Sequence, residues 1–168
     1  MSEQLMLEEK KTKTCFFTGH RDIPRSDYMK IQEKLEPLVR QLIEEQGVEY
    51  FGVGGALGFD TIAAATVVKL KREYSKIRLV IVLPYHEYEA NWPKEDKDLF
   101  KKITNSADKV VYIAKKYYHG CTYKRNRHLA DYSAWGICFV ERPTGGAAYT
   151  YNYAKSLGVT LYNLAMDG

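Results

Sequence analysis

Tyr50-Phe51-Gly52-Val53-Gly54-Gly55-Ala56-Leu57-Gly58-Phe59-Asp60 is an apolar run that halts on paired glycines, and the stretch 61–72 that follows is rich in Ala and Val before it turns basic. This is the grammar of a strand feeding a helix packed on a sheet, with the cationic residues at the helix C-terminus. Where a strand ends in Gly-Gly and a helix begins, the backbone approaches a ligand closely and the first free N–H groups point at it, a geometry that favours anions. About ninety residues on, Thr144-Gly145-Gly146-Ala147-Ala148 repeats the arrangement after another apolar run. Two phosphate-sized turns on one chain point to a nucleotide.

Working outward, six short apolar runs recur at residues 14–18, 50–53, 78–83, 109–114, 135–140 and 159–164, with helical periodicity between them. Such alternation predicts an α/β fold with a parallel sheet of about six strands and helices on both faces. Ile31, Leu35, Leu38, Val39, Leu42 and Ile43 mark the first internal helix. Pro37 falls inside that pattern and is expected to kink or divide it, and Gly47 to stop it. Further helices are predicted over 95–103, 122–132 and 147–156. In an open parallel sheet all strand C-terminal ends lie along one edge, where ligands bind. That edge would carry Gly19-His20-Arg21, the first glycine cluster, Pro84-Tyr85-His86, residues 115–120 and residues 141–146.

The chain of 168 residues, 45% hydrophobic, suits one compact domain, read here as 14–168 behind a charged extension at 1–13. No apolar run approaches the roughly 20 residues that span a bilayer, and residues 1–13 lack the features of a signal peptide. Three cysteines in no pairing pattern imply no disulfide framework, so the expected compartment is the cytoplasm. A net charge of +4 favours phosphate ligands and falls short of a dedicated nucleic-acid binder. The first cluster has the pattern G-G-x-x-G, neither the dinucleotide fingerprint nor a P-loop. No metal site is expected, because His119 and Cys121 stand without a C-x-x-C or H-E-x-x-H companion.

Thr18-Gly19-His20-Arg21, Gly54 through Asp60, Leu83-Pro84-Tyr85, Trp92, Arg125-Asn126 and Gly145-Gly146 occur in an order that resembles the YpsA-like family of the SLOG superfamily. The resemblance implies a Rossmann-like three-layer sandwich related to the lonely-guy hydrolases and to the DNA-processing protein of natural transformation. It also implies a nucleotide pocket at Gly19, His20, Arg21, Gly54, Gly55, Ala56, Gly58, Asp60, Pro84, Tyr85, Arg125, Asn126, Thr144, Gly145 and Gly146. In that pocket Arg21 or Arg125 would balance phosphate charge, while Asp60 or Asn126 would bond sugar or base. The chain departs from the hydrolases where their motif P-G-G-x-G-T-x-x-E places its catalytic Glu, because Asn152 stands there and cannot act as a general base.

Residues 117–128 interleave tyrosines with cations, a composition that stacks on bases and holds phosphates. Lys124, Arg127 and His128 are read as solvent-facing, and Trp92 as packing its loop. Tyr149, Tyr151 and Tyr153 alternate on a helix, so at least one is expected to be exposed, as at a subunit contact of a homo-oligomer. The function these readings imply is binding of a nucleotide or nucleotide derivative, ADP-ribose-like or NAD-like, by a cytoplasmic sensor or regulator without turnover and with no other cofactor. Two alternatives stand beside it. One is hydrolysis of N-glycosidic or phosphate bonds in nucleotide derivatives, with Glu87, Glu141 or Asp60 replacing the missing Glu. The other is single-stranded nucleic-acid binding.

Overall fold

The computed structural model describes residues 2–166. Six strands, β1 (Thr14–Gly19), β2 (Tyr50–Val53), β3 (Arg78–Tyr85), β4 (Lys109–Ala114), β5 (Trp135–Phe139) and β6 (Thr160–Asn163), form one sheet in the order β4-β3-β2-β1-β5-β6. Every pairing is parallel. The helices are α1 (Glu3–Thr12), α2 (Tyr28–Gln46), α3 (Phe59–Leu70), α4 (Lys94–Ser106), α5 (Cys121–Asp131) and α6 (Gly146–Ser156). All six predicted strands are present within two residues of their expected ends.

Each face of the sheet has its own core. Against one face α2 buries Ile31, Leu35, Val39 and Leu42, and α3 buries Phe59, Ile62, Ala63 and Val67; these meet Phe17, Phe51 and Ile81 of the strands. On the other face Phe16 and Val82 pack beneath Leu129 and Ala130 of α5 and Ala154 of α6. Phe16 stands between Gly52 of β2 and Gly136 of β5. A Cβ on Gly136 would lie 2.6 Å from its ring, so the large side chain occupies the space its strand neighbour leaves.

Two expectations are corrected. Pro37 does not divide the helix: α2 runs unbroken for 19 residues because Pro37 lies on the exposed side while the four buried residues hold the opposite stripe. Within the charged extension, for which no element was predicted, Glu3–Thr12 forms α1, capped by the Ser2 hydroxyl, which accepts the Leu5 N–H at 3.2 Å. Among the described residues no helix is long and apolar enough to cross a membrane.

Candidate functional site at the C-terminal edge

The strand order reverses between β1 and β5, since β1 runs on to β2 and β3 while β5 runs on to β6. Crevices at such a reversal are where open α/β sheets receive ligands. Gly19, His20 and Arg21 leave β1 here, and residues 140–146 leave β5.

The floor of the crevice is braced from inside. Gly58 has φ +76°, and a Cβ there would lie 2.4 Å from the His20 carbonyl oxygen, so only glycine lets the turn after β2 touch the loop after β1. The Phe59 N–H donates to that same carbonyl at 3.1 Å. At Gly54 a Cβ would lie 2.8 Å from Arg125 Cζ and 3.0 Å from Asp60 Oδ2. The missing side chain is what admits both charged groups beneath the turn.

Arg125 is buried and donates through Nη1 to the Gly54 carbonyl and, at 3.4 Å, to the Val82 carbonyl. Its Nε donates to Asn126 Oδ1 at 2.8 Å, and its guanidinium lies 5.7 Å from the Tyr88 ring centre. Asp60 is buried and accepts the Ala56 N–H at 3.2 Å. Burial pushes its carboxyl up to about 6, against the opposing pull of Arg125 and the Ala56 N–H. Both residues brace the first glycine turn through these internal bonds.

His20 is likewise committed to the frame. Its Nε2 accepts the Glu141 N–H at 2.8 Å and the Arg142 N–H at 3.3 Å, which requires the neutral ring with its proton on Nδ1. Burial holds its pKa below 6.5, and the nearby Arg142 adds to the effect. Arg142, which the sequence reading did not single out, pairs with Asp22 through both guanidinium nitrogens at 3.0 and 2.8 Å. Asp22 is thereby taken, and Arg21 stays exposed at the mouth with no ion pair among the described residues.

The second cluster is built differently from the first. Thr144, Gly145 and Gly146 are exposed, and a Cβ on Gly145 would meet nothing within 4 Å. A Cβ on Gly146 would meet only Asn126 Nδ2, at 3.9 Å. Because Asn126 Oδ1 is held by Arg125, its Nδ2 faces the open N-terminus of α6. Arg125 thus links the two glycine turns, one through its own guanidinium and the other through its neighbour.

Around the mouth, Tyr85 stacks edge-on with Tyr88 and Tyr117 at 5.5 Å each, and Trp92 packs on Tyr88 and Phe100. Pro84 is buried at the end of β3. Glu87 is exposed with φ +61°, and the His86 ring stacks on Tyr112 with ring centres 3.7 Å apart. Tyr118, His119, Tyr123, Lys124, Arg127 and Tyr149 line a wide, shallow concavity that reaches the first turn of α6 at Tyr149. Arg127 is half-buried and donates to the Tyr149 hydroxyl at 3.0 Å, while His128 is half-buried against Tyr132; neither is the free surface cation expected. Tyr149, Tyr151 and Tyr153 are all half-buried, so none provides the exposed tyrosine that their alternation predicts. Tyr149 stacks with Tyr153 and meets Tyr123 edge-on, which covers part of each ring.

A parallel six-stranded sheet, helices on both faces and glycine turns at its point of reversal define a Rossmann-like protein. The model of the YspA SLOG family, YpsA, matches residues 13–164, and the chain belongs to that family. It is 27% identical over 153 residues to the SPbeta prophage-derived protein YoqJ of Bacillus subtilis, covering 83% of this chain and 90% of that one. It is 30% identical over 155 residues to a UPF0398 protein of Bacillus cereus, covering 87% and 84%. Among solved structures, DNA processing protein A of Helicobacter pylori, described by its single-stranded DNA binding mode, superposes with a TM-score of 0.63 at 18% identity. That match covers 95% of this chain and 67% of the other. DNA processing protein A of Streptococcus pneumoniae superposes at 0.66 and 17% identity, and the chain spans 94% of itself but about half, 53%, of that protein.

Proposed function

We propose that the C-terminal edge binds nucleotide phosphates along an open groove, as a single-stranded nucleic acid presents them. Gly145 and Gly146 at the start of α6 receive one phosphate, Asn126 Nδ2 donates to it, and Arg21 balances its charge. Flanking bases stack over Tyr118 and Tyr123, with Lys124 on the backbone. The observation that carries this reading is that the exposed glycines at the start of α6 and the shallow tyrosine and cation concavity, which Tyr149 lines, share the first turn of that helix. Small-ligand sites enclose most of their ligand, and this edge does not. The likeness to DNA processing protein A agrees with it through the fold.

Fluorescence anisotropy with a labelled oligothymidylate tests the proposal. Binding that weakens steeply with salt is expected. Gly146→Asp should abolish it while leaving the fold intact, because an acidic residue suits a helix N-terminus. Absence of binding at low salt, or equal binding by Gly146→Asp, overturns it. ADP-ribose and NAD serve as competitors; tight binding of either one alone, with no oligonucleotide binding, returns the edge to the nucleotide-sensor reading.

A second reading, hydrolysis of a nucleotide derivative, is favoured by one observation: Asp60, with its pKa near 6, lies at the first glycine turn in the range suited to a general acid or base. Its bond to the Ala56 N–H would have to open for that role. Chromatography of nucleoside monophosphates and ADP-ribose after incubation with the parent and with Asp60→Asn decides it. Turnover lost in the variant supports hydrolysis, and unchanged substrates dismiss it.

A further inference from the structure

The helix α1 contains no buried residue. Leu5, Met6 and Leu7 nonetheless follow one another along it at 59%, 58% and 48% exposure. Ten residues are too few to sustain a helix in water by propensity alone, and consecutive exposed large apolar side chains mark an interaction surface.

The sheet beside α1 is only partly covered, with Val80 and Val111 half-buried. Between α1 and α5 runs a groove of about 250 Å³, floored by Gly52, Val80, Val111 and Leu129. Its rim is cationic, with Lys10, Lys11 and Lys109. Lys10 lies 4.7 Å from the Tyr50 ring centre, and among the described residues no carboxylate pairs with any of these three lysines. An apolar floor ringed by unpaired cations calls for a partner that is apolar and acidic together.

We propose that the partner is a second copy of this chain, whose α1 seats in the groove to give a two-fold dimer. The helix has the required composition: Glu3 and Glu8 accompany Leu5, Met6 and Leu7, and Lys10 and Lys11 close it. Antiparallel pairing of two α1 helices brings the carboxylates of each copy toward the unpaired lysines of the other and sets the helix dipoles head to tail. A two-fold interface must be self-complementary, and α1 supplies both the inserted side chains and one wall of the groove. A small amphiphile would fill the floor and leave Leu5 and Met6 in water.

Light scattering and sedimentation of the full chain, from about 1 to about 100 µM, test the dimer in the range where modest interfaces assemble. The mass at the upper end should be twice the 19.4 kDa of the chain. Leu5→Glu with Met6→Glu should weaken association at least about tenfold without shifting the thermal melt of the domain. Lys10→Glu with Lys11→Glu should be monomeric alone and should pair again when mixed with the Glu3→Lys, Glu8→Lys variant. Should the first pair of substitutions unravel α1, this charge-swapped mixture decides. A chain monomeric throughout the range, a dimer indifferent to Leu5→Glu with Met6→Glu, or a monomer that takes up a fluorescent fatty acid overturns the proposal.

Discussion

His20 Nε2 accepts the Glu141 backbone N–H at 2.8 Å, across 121 residues of sequence. The bond fastens the loop after β1 to the loop after β5 where the strand order reverses, and it sets the approach of Arg142 and the second glycine turn. His20→Ala should cost about 1–3 kcal/mol, because two backbone donors lose their acceptor. The pH dependence has a definite sign. The pKa of His20 is lowered in the folded state, so its contribution is complete above about 6.5 and is lost as pH falls through the lower folded value. Urea denaturation from pH 8 to 5 should show the parent losing more stability than His20→Ala; parallel curves would remove this role.

Asp60 works in the opposite direction. Its folded pKa of about 6 lies above the ordinary 3.8, so the stability it confers is complete below 3.8 and is lost as pH rises through 6. The shift corresponds to about 3 kcal/mol. Asp60→Asn keeps an acceptor for the Ala56 N–H and cannot ionise. The variant should gain up to about that amount over the parent at pH 8 and match it near pH 4, measured by urea denaturation. An equal difference at both pH values would show that ionisation of Asp60 is not what sets the stability of the turn.

The fold was legible because its signals are local: each strand is a short apolar run, and both glycine clusters mark a strand-to-helix transition. The edge was legible for the same reason. What the sequence did not disclose is which polar groups are already engaged. Arg125 and Asp60 read as ligand contacts, and the structure adds that both pack beneath Gly54, where the absent Cβ leaves room for them. Arg142, which the sequence reading did not single out, holds the Asp22 carboxylate from 120 residues away. Tyr88, under the Arg125 guanidinium, has no sequence signal that singles it out. Such pairings depend on tertiary distance, which periodicity does not encode.

Pro37 offers a gain in stability remote from the site. It lies exposed inside the continuous α2, where it forfeits one backbone hydrogen bond and crowds the preceding turn. Pro37→Ala should stabilise the protein by about 1–2 kcal/mol, the restored helix outweighing the added entropy of the unfolded chain. Thermal denaturation followed by circular dichroism measures it, and a lower melting temperature would show that α2 is built around the proline.

The two glycine clusters should respond in opposite ways to the same substitution. A methyl group at Gly58 would lie 2.4 Å from the His20 carbonyl oxygen at φ +76°, so Gly58→Ala should cost about 3 kcal/mol or more and loosen the loop after β1. At Gly146 the added methyl meets only Asn126 Nδ2 at 3.9 Å, and alanine is the better helix former, so Gly146→Ala should change stability by less than about 0.5 kcal/mol. Its effect should fall on binding instead. The methyl narrows the space between the α6 N-terminus and the Asn126 amide, and oligonucleotide affinity should drop about tenfold. Urea denaturation and anisotropy on the same two variants separate the outcomes. Stability lost only at Gly58 and affinity lost at Gly146 with the fold intact assign the first cluster to the frame and the second to the ligand; full affinity in Gly146→Ala would remove the second from the site.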